Sequence, residues 1–93
     1  MTIGEKIKLC RVQKGLSQKE LASQIGCDVS FICKVEKNEK NINKQKLSLI
    51  SEVLNVDFNY LKISFYESKI NDLLKNETES FKQDVLFSLY NKK

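Results

Sequence analysis

A chain of 93 residues, 41% of them hydrophobic and with no long apolar run, has material for one modest core and too little continuous apolar length to cross a membrane. Its three cysteines, Cys10, Cys27 and Cys33, form no C-x-x-C pair and no histidine accompanies them, so the sequence predicts reduced thiols and no metal site. The net charge of +4, from 16 Lys/Arg against 12 Asp/Glu, fits a polyanion-binding surface and a merely solvated lysine-rich one equally well.

The opening stretch, Met1 to Lys8, is charged and lacks the apolar core and cleavage site of a secretory signal, so a cytoplasmic protein is expected. Without proline, and with only three glycines, boundaries must be read from caps and apolar periodicity. Ile3, Ile7 and Cys10 share one face of a first helix that stops before Gly15, a residue able to take the positive φ of a tight turn. Leu9 and Val12 lie off that stripe. A second helix starts at Ser17, where Ser17 and Glu20 make an S-x-x-E capping box and Leu16 can staple onto Leu21. It buries Leu21, Ala22 and Ile25 and ends at Gly26. Asp28 then caps a third helix, Val29 to Lys37, with Ile32 and Val35 inward and Asn38 at its end. Asn43 caps a fourth helix carrying Leu47, Ile50, Ser51 and Leu54, and Asp57 a fifth containing Phe58 and Leu61.

Two more helices are expected beyond these. Tyr66, Ile70, Leu73 and Leu74 form one apolar stripe, and after the polar break Asn76 to Thr78 a second runs through Phe81, Val85 and Leu89. The last helix also bears Leu86, Phe87 and Tyr90, more apolar surface than a single packing face can hide. Charge divides the chain at the same place: residues 1–63 hold eleven Lys/Arg against seven Asp/Glu, and residues 64–93 hold five against five. The expectation is an all-α protein, with a basic head over 1–63 and a neutral helical tail over 64–93.

Leu16 to Lys37 reads LSQKELASQIGCDVSFICKVEK, and here the chain resembles the helix-turn-helix of the lambda-repressor/Cro-like (Xre) family. The resemblance rests on capped Ser17 with Gln18, the Glu20-Leu21-Ala22 run, the turn Gly26, and the pattern Ile32, Lys34, Val35, Glu36. It extends from Ile3 to about Leu61, where Asn55-Val56-Asp57 looks like the family's entry to helix five. It implies a five-helix lambda-repressor-like domain, here extended by about two helices, in which the third helix lies in the major groove of double-stranded DNA.

Carried over by position, Val29, Ser30, Cys33 and Lys34 resemble the family's base-reading residues. Gln18 resembles its phosphate-contacting glutamine, and Lys19, Lys37, Lys40, Asn41, Asn43 and Lys44 are expected to meet backbone phosphates as well. Arg11 and Glu36 match a partly buried ion pair that ties helix one to helix three. Cys33 reads as a replacement for a small polar residue more readily than as a redox switch, and Phe31 could touch DNA or pack on helix four.

The function implied is transcriptional regulation by operator occupancy in the cytoplasm of a bacterium or phage, beside its nucleoid. One such unit buries too little surface to find a site alone, so a homodimer is expected, with Tyr66, Ile70, Leu73, Leu74, Phe81, Val85 and Leu89 as its anchors. Residues 36–61 are most similar to controllers of restriction-modification genes. An antitoxin-like protein-interaction module with autoregulatory DNA binding is the alternative. An enzyme is not expected, since the usual parts of acid-base, metal or phosphate-loop chemistry are missing, and neither a cofactor nor a small-molecule ligand is implied.

Overall fold

Six side-chain caps start six helices among the described residues, 1–91 of the computed structural model. Thr2 caps α1 (Ile3–Lys14), Ser17 caps α2 (Gln18–Ile25) and Asp28 caps α3 (Val29–Glu36). Asn43 caps α4 (Lys44–Leu54), Asp57 caps α5 (Phe58–Leu73) and Thr78 caps α6 (Glu79–Tyr90). In each case the cap's side-chain oxygen accepts a first-turn backbone N–H that would otherwise lack a partner. Two of the six are full capping boxes, Thr2 with Glu5 and Ser17 with Glu20. The backbone N–H that each glutamate accepts, and then the hydroxyl beside it, hold both carboxyls below the usual glutamate range.

Helix ends follow the same local chemistry. Gly15 and Gly26 close α1 and α2 at φ of 81° and 73°, in the left-handed region where a Cβ would be strained, and Asn38 and Asn55 adopt the same conformation after α3 and α4. Among the described residues there is no strand and no helix long and apolar enough to cross a membrane. All three cysteines are free thiols.

The core is shared by α1 to α5. Ile7, Leu21, Ile32, Leu47, Ile50 and Leu61 are fully buried, one or two from each helix, and Ile42 anchors the loop before α4 to the same cluster. α2 packs on α3 and on α4, while α1 lies across α3, α4 and α5. The stripes read from the sequence face inward as expected, and Leu9 and Val12 are exposed.

The tail differs from expectation. Instead of seven helices there are six, because the fifth helix does not stop after Leu61 but continues to Leu73, absorbing the helix expected around Tyr66 and Ile70. No Gly, Pro or cap residue punctuates Lys62-Ile63-Ser64-Phe65-Tyr66-Glu67 strongly enough to end it, and Ser64 and Phe65 are both buried against the core. The Ser64 hydroxyl donates to the Met1 carbonyl oxygen at 3.0 Å, so α5 is pinned to the start of α1 across the 63/64 boundary. α6 buries no residue and has no extensive packing on another helix among the described residues, and the molecule is drawn out to 42 × 26 × 21 Å.

α1 meets the end of α3 at Gly4. Its N–H donates to the Asn38 side-chain oxygen at 3.2 Å, and the Asn38 amide nitrogen donates to Thr2 Oγ1 at 3.0 Å. A Cβ on Gly4 would overlap the Val35 carbonyl oxygen and stand 2.7 Å from both the Asn38 Oδ1 and the Glu36 carbonyl oxygen. Glycine to alanine inside a helix ordinarily stabilises by up to about 1 kcal/mol. Gly4→Ala should instead destabilise by about 1–3 kcal/mol through forced separation of α1 from α3, as read from the midpoint of urea unfolding.

Candidate nucleic-acid interface

α2 and α3 are joined by a turn of three residues, Gly26 to Asp28. Gly26 takes the left-handed conformation, the Cys27 N–H donates to the Ala22 carbonyl at 3.0 Å, and Asp28 Oδ1 accepts the Phe31 N–H at 2.8 Å. The turn therefore ends one helix and starts the next within a few ångströms. Ala22, almost fully buried, leaves room for the two helices to approach.

α3 is held from beneath by Ile32 and Val35, both in the core. From its C-terminal end it is held by Glu36. The Arg11 guanidinium donates to both Glu36 carboxylate oxygens, Nε to Oε2 at 2.7 Å and Nη2 to Oε1 at 3.1 Å, with a third donation from Nη1 to the Leu16 carbonyl at 2.8 Å. Side-chain exposures of 10% for Arg11 and 2% for Glu36 place this pair in a low-dielectric setting, where bidentate geometry has its full strength. Gln18, expected at a phosphate, turns its amide nitrogen to Glu36 Oε1 at 3.0 Å and so completes the shell around the carboxylate.

With its inner face fixed, α3 shows solvent the residues expected to read bases. Val29 is 45% exposed, an unusual setting for a valine, Ser30 and Lys34 are exposed, and Cys33 is half-buried between them and the core. Lys19, Lys37, Lys40, Asn41, Asn43 and Lys44 are exposed too, on α2, at the end of α3, in the loop 37–43 and at the start of α4. Asn43 also spends its side-chain oxygen capping α4. Lys44 turns toward α5: its ammonium beside the Tyr66 hydroxyl holds that phenol below the ordinary tyrosine range, aided by Lys62 and Lys69.

Two contacts escape the sequence, those of Lys46 and of Asn38. Lys46 on α4 was not singled out, yet its ammonium lies 5.5 Å from the centroid of the Phe31 ring, as does that of Lys40. Phe31 itself is half-buried and packed on the core. The Cys27 thiol nearby is pushed up by burial and by Asp28, with Lys46 opposing. Asn38 was read as a helix stop alone, although its side chain joins α1 to the end of α3. No local pattern carries these contacts, which depend on how α1, α3 and α4 pack. Thr2 and Glu5, by contrast, show the same spacing as Ser17 and Glu20 and could have been found from it.

The helix-turn-helix family model matches residues 7–61. The chain belongs to that family. Across 92 residues it is 34% identical to the HTH-type transcriptional regulator SinR of Bacillus subtilis, spanning 98% of this chain and 83% of the relative. Its helices superpose on SinR, the master regulator for biofilm formation, in the crystal structure of that protein with DNA, at a TM-score of 0.61 and 38% identity over 64% of this chain and 97% of that one. The restriction-modification controller C.AhdI of Aeromonas hydrophila superposes with the same TM-score of 0.61, at 29% identity over 63% of this chain and 86% of the other. In helix-turn-helix terms α2 and α3 form the unit itself, and the Arg11–Glu36 pair ties it to α1.

Removing either partner of that pair leaves a buried charge without compensation, so Arg11→Met or Glu36→Leu should each cost about 3–5 kcal/mol of stability in urea unfolding. The double variant should recover a large part of that loss. A double-variant loss equal to the sum of the two single losses would instead mean that the two charges do not interact.

Proposed function

We propose that this chain is a sequence-specific regulator of transcription that occupies an operator in double-stranded DNA as a homodimer, with residues 1–63 as the DNA-binding head and residues 64–93 supplying the dimer contact. The observation that carries the reading is α3. A helix clamped on its inner face by Ile32 and Val35 and at its end by Glu36 presents Val29, Ser30, Cys33 and Lys34 to solvent on a rigid rod, the form a major groove accepts. The family relatives named as transcriptional regulators support it.

Roles divide by chemistry. Lys34 can donate to guanine O6 and N7, Ser30 to either kind of base, and the Val29 methyls can meet a thymine methyl, with Cys33 filling the remaining surface between them. Gln18, Lys19, Lys37, Lys40, Asn41, Asn43 and Lys44 hold the phosphates. No step of chemistry is involved: occupancy blocks or recruits polymerase. Within the class, control of restriction-modification genes is the specific role we favour, supported by the similarity of residues 36–61 and by the structural likeness to C.AhdI.

The dimer contact is proposed from exposed apolar area. On the far half of α5, Tyr66 and Leu73 are exposed and Ile70 half-buried, followed by half-buried Leu74; on α6, Phe81 and Leu89 are exposed and Val85 half-buried. Leu86, Phe87 and Tyr90 widen this apolar surface, which among the described residues lies largely open to solvent apart from Tyr66, whose ring has the Lys44 ammonium of α4 at 5.7 Å from its centre. A second reading, a tail that binds a different protein while the head regulates its own gene, draws on the same surface.

Lys34→Ala should weaken the best duplex selected from random DNA by about 1–3 kcal/mol and relax sequence preference, whereas Lys19→Ala should weaken every duplex alike and flatten the salt dependence. Identical behaviour of the two would refute the division between reading and anchoring. Sedimentation velocity at micromolar concentration should show a dimer for the native chain and a monomer for Phe87→Asp/Leu89→Asp. A native monomer would refute the dimer and favour the second reading.

A further inference from the structure

The outward side of α5 carries a line of residues with a spacing of its own. Asn59, Ile63, Tyr66, Ile70 and Leu73 follow one another at intervals of 4, 3, 4 and 3 residues, the 3.5-residue period of a helix that pairs with another along its length. Leu61, Ser64 and Phe65 are buried on the opposite side. We infer that this line is the seam of a parallel, two-stranded coiled coil between α5 and the α5 of a second copy of this chain. The inference rests on the homodimer proposed above and adds to it an orientation, a register and a contact that enters the DNA-binding head at Ile63 and Asn59.

Exposure comes first. Ile63 and Leu73 are 60% and 82% exposed, Ile70 is half-buried, and Tyr66 is exposed with the Lys44 ammonium 5.7 Å from its ring centre. Single exposed apolar side chains are ordinary, whereas a row of them along one helix is a surface that a partner can cover.

Side-chain type sets the number of strands. With Ile63 and Ile70 at the first core position of successive seven-residue repeats, Tyr66 and Leu73 fall at the fourth. β-Branched residues at the first position and leucine at the fourth favour two parallel strands over three or four. Asn59, one step earlier in the row, places an amide against its own counterpart, a polar pairing that fixes register.

Charge decides the occupant and its direction. Lys62 and Lys69 flank the row on one side, and Tyr60, Glu67 and Leu74 flank it on the other. In a parallel pair the residue before each first core position faces the residue five places further along the other helix, which sets Lys62 against Glu67 of the second copy, twice by symmetry. A fully overlapped antiparallel pair would set lysine against lysine and carboxylate against carboxylate. Among the described residues the ion pairs are Arg11–Glu36 and Lys82–Glu79, so neither Lys62 nor Glu67 has a partner within 4.0 Å in its own chain. Lys62 exchanges its position over the Phe58 ring, 4.7 Å from the centre, for that carboxylate. Two repeats are too few to hold free helices together, because each helix would first have to form. Here the core already holds α5 helical through Leu61 and Phe65, and association orders side chains alone.

The test is the dimer dissociation constant of the whole chain, measured by sedimentation equilibrium. Ile63→Asp, outside the tail and too exposed to disturb the core, should raise it by about tenfold or more with helical circular dichroism unchanged. Lys62→Glu and Glu67→Lys should each raise it by about tenfold, and the double variant Lys62→Glu/Glu67→Lys should return to within about threefold of the native value. In a glutathione redox buffer Leu73→Cys should close into a linked dimer while the native chain, with its own three thiols, does not. An antiparallel pair would hold the two Leu73 positions about 21 Å apart, and Asn59→Cys mixed with Leu73→Cys would then link to each other in preference to themselves. That preference would overturn the parallel seam. If the native chain dimerises and Ile63→Asp dimerises equally well, the seam falls and the homodimer stands on α6. If the native chain is a monomer, the homodimer and the seam fall together, and the row belongs to a different protein.

Discussion

Arg11 and Glu36 meet under the outer helix of the helix-turn-helix, and nearly everything functional depends on that meeting. The carboxylate receives two hydrogen bonds from the guanidinium and a third from Gln18, while the guanidinium also reaches the Leu16 carbonyl at the entry to α2. One buried ion pair thus fixes α1, the start of α2 and the end of α3 relative to one another. Native domains are stable by only about 5–15 kcal/mol, and an unpaired buried charge would consume a large share of that. Fully partnered, the same charges hold the outer helix at a set angle, and among the described residues no buried side-chain polar atom lacks a hydrogen bond.

Much of this was legible before any coordinates. Caps and turns are local: Ser17 with Glu20, Asp28, Asn43 and Asp57 each needs only its own first turn, and each sits where the sequence places it. Apolar stripes are nearly as local, which is why Ile7, Leu21, Ile32, Leu47 and Leu61 were assigned to the core correctly. The Arg11–Glu36 pair joins residues 25 apart in sequence and came from family resemblance alone, since nothing in either residue's neighbourhood announces it.

The remainder was illegible for stated reasons. That α5 runs on past Leu61 goes with burial of Ser64 and Phe65 against the core, a tertiary contact that the separate apolar stripes of the sequence do not carry. Gln18 faces Glu36 because the ion pair leaves a carboxylate oxygen able to accept, a vacancy only the packed structure creates. The clustering of Lys40 and Lys46 on Phe31 requires a loop and two helices to come together. Residues 92–93 lie outside the described structure.

α5 makes the tail a handle on the head. A single helix of 16 residues is a rod about 24 Å long, its first half embedded in the core through Leu61, Ser64 and Phe65 and its far end free in solvent at Leu73. A supple linker at that boundary would let the two halves tumble independently. An unbroken rod transmits torque instead: under the proposed dimer, a grip on the far end would also aim the outer helix, and two heads joined through such rods would tolerate little variation in the distance or the twist between the sites they occupy.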